Sequence, residues 1–268
     1  MRESLPRSVL RVAALVRHDL RLHRADLTPL VTMTVMPLLI MAFVRPLYLS
    51  SLSTRYGTPP DGVPFTGAEL AVPGVAVIFS FFLAADVGYG VFREHGWRTW
   101  DRLRTGPARP FEVLAGRAVV PLLVLLVQLT LLFTVGGLLF GLRVRGSYAA
   151  IAAVGVCLAL CLVAFGFVLV ALCRTVMQLN VFSNVAALLF AGLGGTLAPV
   201  EQLPGWVQAL AHVTPTYWAM RGFTGAVLDG DGLGGAVLPC LVLLAIAAVL
   251  TVAGLNRFRF DDRKVSWS

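Results

Sequence analysis

Along its length the chain alternates long apolar runs with short, polar, arginine-rich breaks. A helix needs about 20 apolar residues to cross roughly 30 Å of hydrocarbon. Six runs reach that length, at 27–49, 72–92, 118–142, 148–173, 176–197 and 234–255. The fourth and fifth are separated only by a turn around Arg174, which predicts a hairpin. Ahead of the first run, 5–25 has a helical period. Arg7, Arg11, Arg17, His18 and Arg21 gather on one face, and Val9, Val12, Ala13, Val16 and Leu20 on the other. A basic amphipathic helix beside a membrane lies in the interface with its apolar face down; a flexible basic tail is the alternative. The first run is longer than a signal-peptide core and no small-x-small site follows it, so an uncleaved span is expected. The expected architecture is an all-α integral membrane protein with one transmembrane domain over 1–268. It consists of an interfacial helix (1–26), a six-span bundle (27–255) and a tail (256–268).

Composition supports the pattern. The chain is 57% hydrophobic and 13% charged, with a mean hydropathy of +0.82, whereas soluble domains carry about 25% charge. The basic residues are unevenly spread. The segments 1–26, 93–117, the Arg174 turn and the tail after Leu255 hold 17 Lys and Arg between them. The opposite side holds five: Arg45, Arg55, Arg143, Arg145 and Arg221. Positive residues stay inside, so both termini and the 93–117 loop are expected in the cytoplasm. That bias also accounts for the net charge of +8 without nucleic acid. Lys264 is the single lysine, a preference read as the codon bias of a GC-rich bacterium. Cys157, Cys161, Cys173 and Cys240 lie in or at the ends of apolar runs and form no C-x-x-C pair, while His18, His23, His95 and His212 are scattered. Neither a disulfide framework nor a metal centre is indicated.

Enzyme chemistry finds no support. Lys264 is followed by Val265, so no G-x-x-x-x-G-K-[ST] phosphate loop exists, and neither H-E-x-x-H nor G-x-S-x-G occurs. Asp261-Asp262 reads as a solvated terminus. The 93–117 segment is different, with six arginines and three acids in 25 residues. Trp97, Trp100 and Leu103 recur at near-helical spacing, Thr105-Gly106-Pro107 breaks the helix, and Pro110 with Glu112 suits the start of the next one. A short surface helix is expected there, a docking surface or else a membrane-anchoring loop. On the other side, Leu203, Val207 and Leu210 form a stripe and Thr214-Pro215 reads as a cap followed by a first-turn proline. Trp206, Tyr217 and Trp218 suit a headgroup zone. Two short helices or an ordinary amphipathic loop would both fit.

Within the spans, Asp86 lies six residues before Phe92, about 9 Å from that end of span two. It either lines a pathway or pairs with an arginine such as Arg117 or Arg174. Gln178, Asn180, Ser183 and Asn184 crowd the start of span five, as an interhelical hydrogen-bond cluster or as pathway lining. The Gly137-x-x-x-Gly141 and Gly192–Gly195 clusters are explained by close helix packing.

The run Glu94-His95-Gly96 … Thr99-Trp100-Asp101-Arg102-Leu103 … Pro107-Ala108-Arg109 … Glu112-Val113-Leu114-Ala115-Gly116-Arg117 resembles the loop of type-2 ABC transporter permeases, with Trp97-Arg98 inserted after the glycine. The stretch Leu197-Ala198-Pro199 … Leu203-Pro204-Gly205-Trp206 … Thr214-Pro215-Thr216-Tyr217-Trp218 … Arg221 resembles the exoplasmic re-entrant segment of that family, and the short outer loops resemble those of its daunorubicin-resistance branch. The resemblance implies a coupling helix that carries Glu94, Gly96, Trp100, Asp101, Leu103, Arg104, Pro107 and Glu112. It implies a path lined by spans two and five, hence by Asp86, Gln178, Asn180 and Asn184, and a re-entrant segment with Pro204, Trp206, Pro215, Tyr217 and Trp218. It further implies two cytoplasmic ATPase subunits that hold ATP and magnesium, a second permease copy (identical or paralogous), and membrane lipid as surroundings. The bacterial inner membrane and export of an amphipathic drug or lipid-like cargo are expected. Polysaccharide or glycolipid export is the rival within the family; a non-transporting scaffold or a proton-coupled transporter using Asp86 is the rival outside it.

Overall fold

A computed structural model describes residues 16–17, 28–57, 62, 64–96 and 110–257. The helices among them are α1 (Thr28–Tyr56), α2 (Ala68–Leu83), α3 (Asp86–Gly96), α4 (Pro110–Phe140), α5 (Tyr148–Leu172), α6 (Val176–Leu193), α7 (Gly205–Ala211), α8 (Pro215–Thr224) and α9 (Leu233–Arg257). A 3-10 turn covers Val200–Gln202 and a π turn Gly225–Asp229. Six segments are long and apolar enough to span a bilayer: α1, α2 with α3, α4, α5, α6 and α9. The protein is an all-α, multi-pass membrane protein. The ends that adjoin residues 97–109 define the loop face; the opposite ends define the far face. Most of the expected interfacial helix, residues 97–109 and the tail beyond 257 lie outside the described residues.

Local chemistry moves several span ends from where hydropathy put them. α1 runs past residue 49 because Ser50, Ser53 and Thr54 bond back to carbonyls of Leu47 and Ser50 at 2.7–2.9 Å, removing hydroxyls from competition with the helix. α2 starts at Ala68, four residues before the apolar run. There Thr66 Oγ1 accepts from the Ala68 N–H at 3.2 Å and the Glu69 carboxylate accepts from the Thr66 N–H at 3.1 Å, a reciprocal cap. Glu69 is buried by that role. α6 stops at Leu193 instead of 197, since Gly195 turns left-handed with φ 79°. At 31 residues α4 is about 46 Å long, more than a bilayer core needs, so an end of it projects.

The largest departure is in span two. It is two helices, with a break at Ala84–Ala85: the Ala84 N–H reaches the Phe81 carbonyl at 3.1 Å, and the helix restarts with the Gly88 N–H on the Ala85 carbonyl at 2.8 Å. Gly166 of α5 lies against the break, where a side chain would strike the Ala84 carbonyl oxygen at 2.6 Å and Val87 at 2.8 Å. Just on the far side of the break, the rings of Phe81, Phe165 and Phe190 meet at 5.5–6.1 Å and tie α2, α5 and α6 together. Irregular backbone at membrane depth is tolerated only where protein covers it, and Ala84 and Ala85 are both buried.

Proline in span one is handled the same way. Pro37 in α1 has no N–H for the Met33 carbonyl four residues back. Gln128 of α4, fully buried, donates its Nε2 to that carbonyl at 3.0 Å. The nitrogen of an amide inside a hydrocarbon span is thereby accounted for as the substitute for a missing helix bond, while its buried Oε1 has no hydrogen-bond partner among the described residues. The core itself sits where α5 packs along α9 and against α8.

Candidate transport site and loop-face elements

The loop-face half of the bundle is organised around α3, the short rod between the Ala84–Ala85 break and the loop. Small residues seat it. Gly88 faces Leu179 of α6, where a Cβ would meet a leucine methyl at 2.5 Å, and Gly90 faces Arg117 of α4, whose Nη1 would lie 3.7 Å from a Cβ. Val87 meets Gly166 of α5. Thus α3 touches the three following spans while its own helix is severed from α2.

The polar residues of spans two and five meet here in part. The Tyr89 hydroxyl of α3 donates to Asn180 Oδ1 of α6, and Asn180 Nδ2 donates to the Val176 carbonyl at 3.2 Å. Asp86 stands half-buried in the first turn of α3, at the start of a helix and not in the middle of one as the continuous run implied. Of the two arginines proposed for it, Arg117 is 3% exposed and lies against Gly90, one turn further along α3. Arg174 is exposed at the α5–α6 turn. Gln178 is exposed as well, its Oε1 accepting from the Arg174 N–H at 2.8 Å, so it closes that turn. Asn184, one turn on from Asn180, is exposed on α6 and does not join the Tyr89 contact. Ser183 beside it is buried, and its Oγ has no hydrogen-bond partner among the described residues.

Tyr89, Gln128 and Arg117 carry contacts that hydropathy does not single out. The Asp86-Val-Gly-Tyr-Gly90 sequence held the available signal, since two glycines and an acid inside an apolar run mark a weak helix. Among the loop residues, Glu94 and Gly96 fall on the last turn of α3, and Glu112 lies in the first turn of α4, which opens at Pro110 as a first-turn proline would. Trp100, Asp101, Leu103, Arg104 and Pro107 lie outside the described residues.

On the far face the chain from Gly194 to Asp231 folds back on the bundle. Thr196 ties it down: its carbonyl accepts from the Tyr48 hydroxyl of α1 and lies against Gly74 of α2, where a Cβ would sit 2.8 Å away. Thr214 caps α8, accepting from the Tyr217 N–H at 3.4 Å, with Pro215 in the first turn. The Thr216 hydroxyl donates to the Phe190 carbonyl at 2.7 Å, tying α8 to the end of α6. The stripe expected from Leu203 is shorter than the pattern implied, because Pro204 delays α7 to Gly205 and leaves Leu210 49% exposed while Val207 is buried. Trp206 is 67% exposed, and Trp218 donates its Nε1 to the His212 carbonyl at 2.7 Å.

The family described as ABC-2 type transporter matches residues 11–228, from before α1 to the π turn. The chain belongs to that family. Over 199 residues this permease is 29% identical to the linearmycin resistance permease protein LnrN of Bacillus subtilis, a match covering 74% of the chain and 51% of that protein. It is 30% identical over 153 residues to the probable multidrug ABC transporter permease YbhR of Escherichia coli, covering 57% of the chain and 39% of that protein. A more distant relative is ABC transporter G family member 20 of Dictyostelium discoideum, 26% identical over 211 residues, covering 74% of the chain and 28% of that protein. The permease chain spans about half the length of LnrN, and less of the other two.

Proposed function

We propose that the chain is the transmembrane subunit of an ATP-driven exporter that moves an amphipathic drug or lipid-like cargo outward. The observation that carries this reading is the ABC-2 family match across five of the six spans. Two relatives named as resistance or multidrug permeases support the cargo class. In this reading the loop face is cytoplasmic, as the arginine bias favours, and two ATPase subunits bind ATP and magnesium beneath it. A second permease copy completes a path between facing spans two and five, with Asp86, Gln178, Asn180 and Asn184 as its candidate lining.

The severed span two gives the proposal a mechanical form. Closure of the ATPases presses on the loop between Gly96 and Pro110, and α3 is the helix that leads into that loop from the membrane. Because α3 ends at Ala84–Ala85, it can tilt without dragging α2. Its Tyr89–Asn180 bond and Gly88–Leu179 contact hand the displacement to α6. That is a two-state element of the kind coupling requires.

The decisive experiment is reconstitution in lipid with the ATPase expressed from the same locus. The complex should co-purify, hydrolyse ATP faster than the ATPase alone, and expel a fluorescent amphiphile. Trp100→Ala and Glu94→Ala should abolish efflux while leaving membrane insertion intact. No association with any ABC ATPase sinks the reading, and wild-type efflux from both variants removes the loop from the mechanism.

A further inference from the structure

Where α1, the folded-back segment and α9 meet on the far face, a cavity of about 620 Å³ opens. That lies within the range of small-molecule sites. Leu52, Met220 and Leu228 line it and are themselves nearly fully buried. Its lining includes Arg221 and Asp231, opposite charges that do not pair with each other. Arg221 rests its guanidinium on the Trp218 ring, 5.4 Å from the centroid, and forms no ion pair with a described residue. The Asp231 backbone is used at both ends, its N–H on the Gly225 carbonyl at 3.0 Å and its carbonyl on the Ser147 N–H at 3.3 Å. Its carboxylate lies over Gly225 and Gly235, where any side chain would collide with it, and it too has no ion-pair partner among the described residues. Ser51 adds a wall hydroxyl whose buried oxygen has no hydrogen-bond partner among the described residues.

We infer that this cavity binds a zwitterionic headgroup carrying a phosphate ester and a primary ammonium. Arg221 takes the phosphate, as planar guanidinium groups do, and Asp231 takes the ammonium. With Asp231 on the same cavity as Arg221, a wholly anionic ligand is disfavoured. One property selects a membrane phospholipid over a free headgroup: the flanking α1 and α9 leave most of their surface open to lipid. The inference requires neither ATP coupling nor a particular orientation.

The test uses the full chain in nanodiscs of equimolar phosphatidylethanolamine, phosphatidylcholine and phosphatidylglycerol, followed by detergent extraction and mass spectrometry of retained lipid. Phosphatidylethanolamine should be retained about tenfold over phosphatidylglycerol, the scale of one charge-assisted hydrogen bond. Asp231→Asn should erase the preference for ethanolamine over choline, and Arg221→Gln should lower retention of all three. Both side chains are exposed, so unchanged helix content and melting are expected and are measured alongside. Displacement by soluble O-phosphoethanolamine would support the same headgroup chemistry with a soluble source. Equal retention of the ethanolamine and glycerol lipids by the wild type, or a wild-type ratio in both variants, overturns the proposal. Since no ATPase is present, either result leaves the export reading standing.

Discussion

α5 and α6 follow each other through a three-residue turn, both begin with a hydroxyl cap, and both are apolar enough to span a membrane. Yet 67% of the apolar window of α5 is buried in the protein, against 22% for α6. The more hydrophobic of the two is the inner one. α5 is rich in Ala, Gly and Cys, which let backbones approach, and it packs along α9 and under α8. α6 carries Gln178, Asn180, Ser183 and Asn184, and its exposed side also bears Phe182, Leu188 and Leu189. In lipid, burial follows packing shape, and hydropathy separates membrane from water without separating core from surface. An exposed helix that still carries an exposed amide, Asn184, is one that a second protein chain or a polar path would serve better than acyl chains do.

Four substitutions and one control probe this contrast, ordered from the largest expected effect. Leu158→Ala empties a fully buried position on α5 and should cost about 3 kcal/mol, read by unfolding in mixed micelles. Gly166→Ala forces a methyl onto the Ala84 carbonyl and should cost about 2 kcal/mol; Gly192→Ala on α6, with no described atom within 4 Å, should not destabilise at all. Equal losses at the two glycines would erase the contrast. Tyr89→Phe deletes the bond to Asn180 and should cost only about 0.6 kcal/mol of stability, while uncoupling ATP hydrolysis from efflux in the reconstituted complex. Retained coupling would reduce that bond to packing. Leu188→Ala, at 61% exposure, should change monomer stability by less than about 0.5 kcal/mol. A weakened dimer in crosslinking of that variant would show that protein covers the α6 face.

The loop-face and far-face elements were unequally legible. Thr214-Pro215 announced α8 and Pro110 announced α4, because caps and first-turn prolines act through bonds only a few residues long. The six spans followed from run length. The break at Ala84–Ala85 did not, since both residues favour helix and the segment fitted against the break, at Gly166, is about 80 residues away in the chain. Asn180 and Asn184 looked equivalent by period, yet among the described residues it is Asn180 that meets Tyr89, 91 residues earlier.

Sequence by itself determined that this chain lives in a membrane, how many times it crosses, and which breaks are basic, because hydrocarbon thickness and charge act on each segment alone. The severed second span, the Gln128 amide standing in for a proline's missing N–H, and the placement of Arg221 and Asp231 on one cavity were decided only by tertiary structure. Each depends on which distant segment arrives at a given backbone group, and in a medium without water that arrival settles whether the group is satisfied.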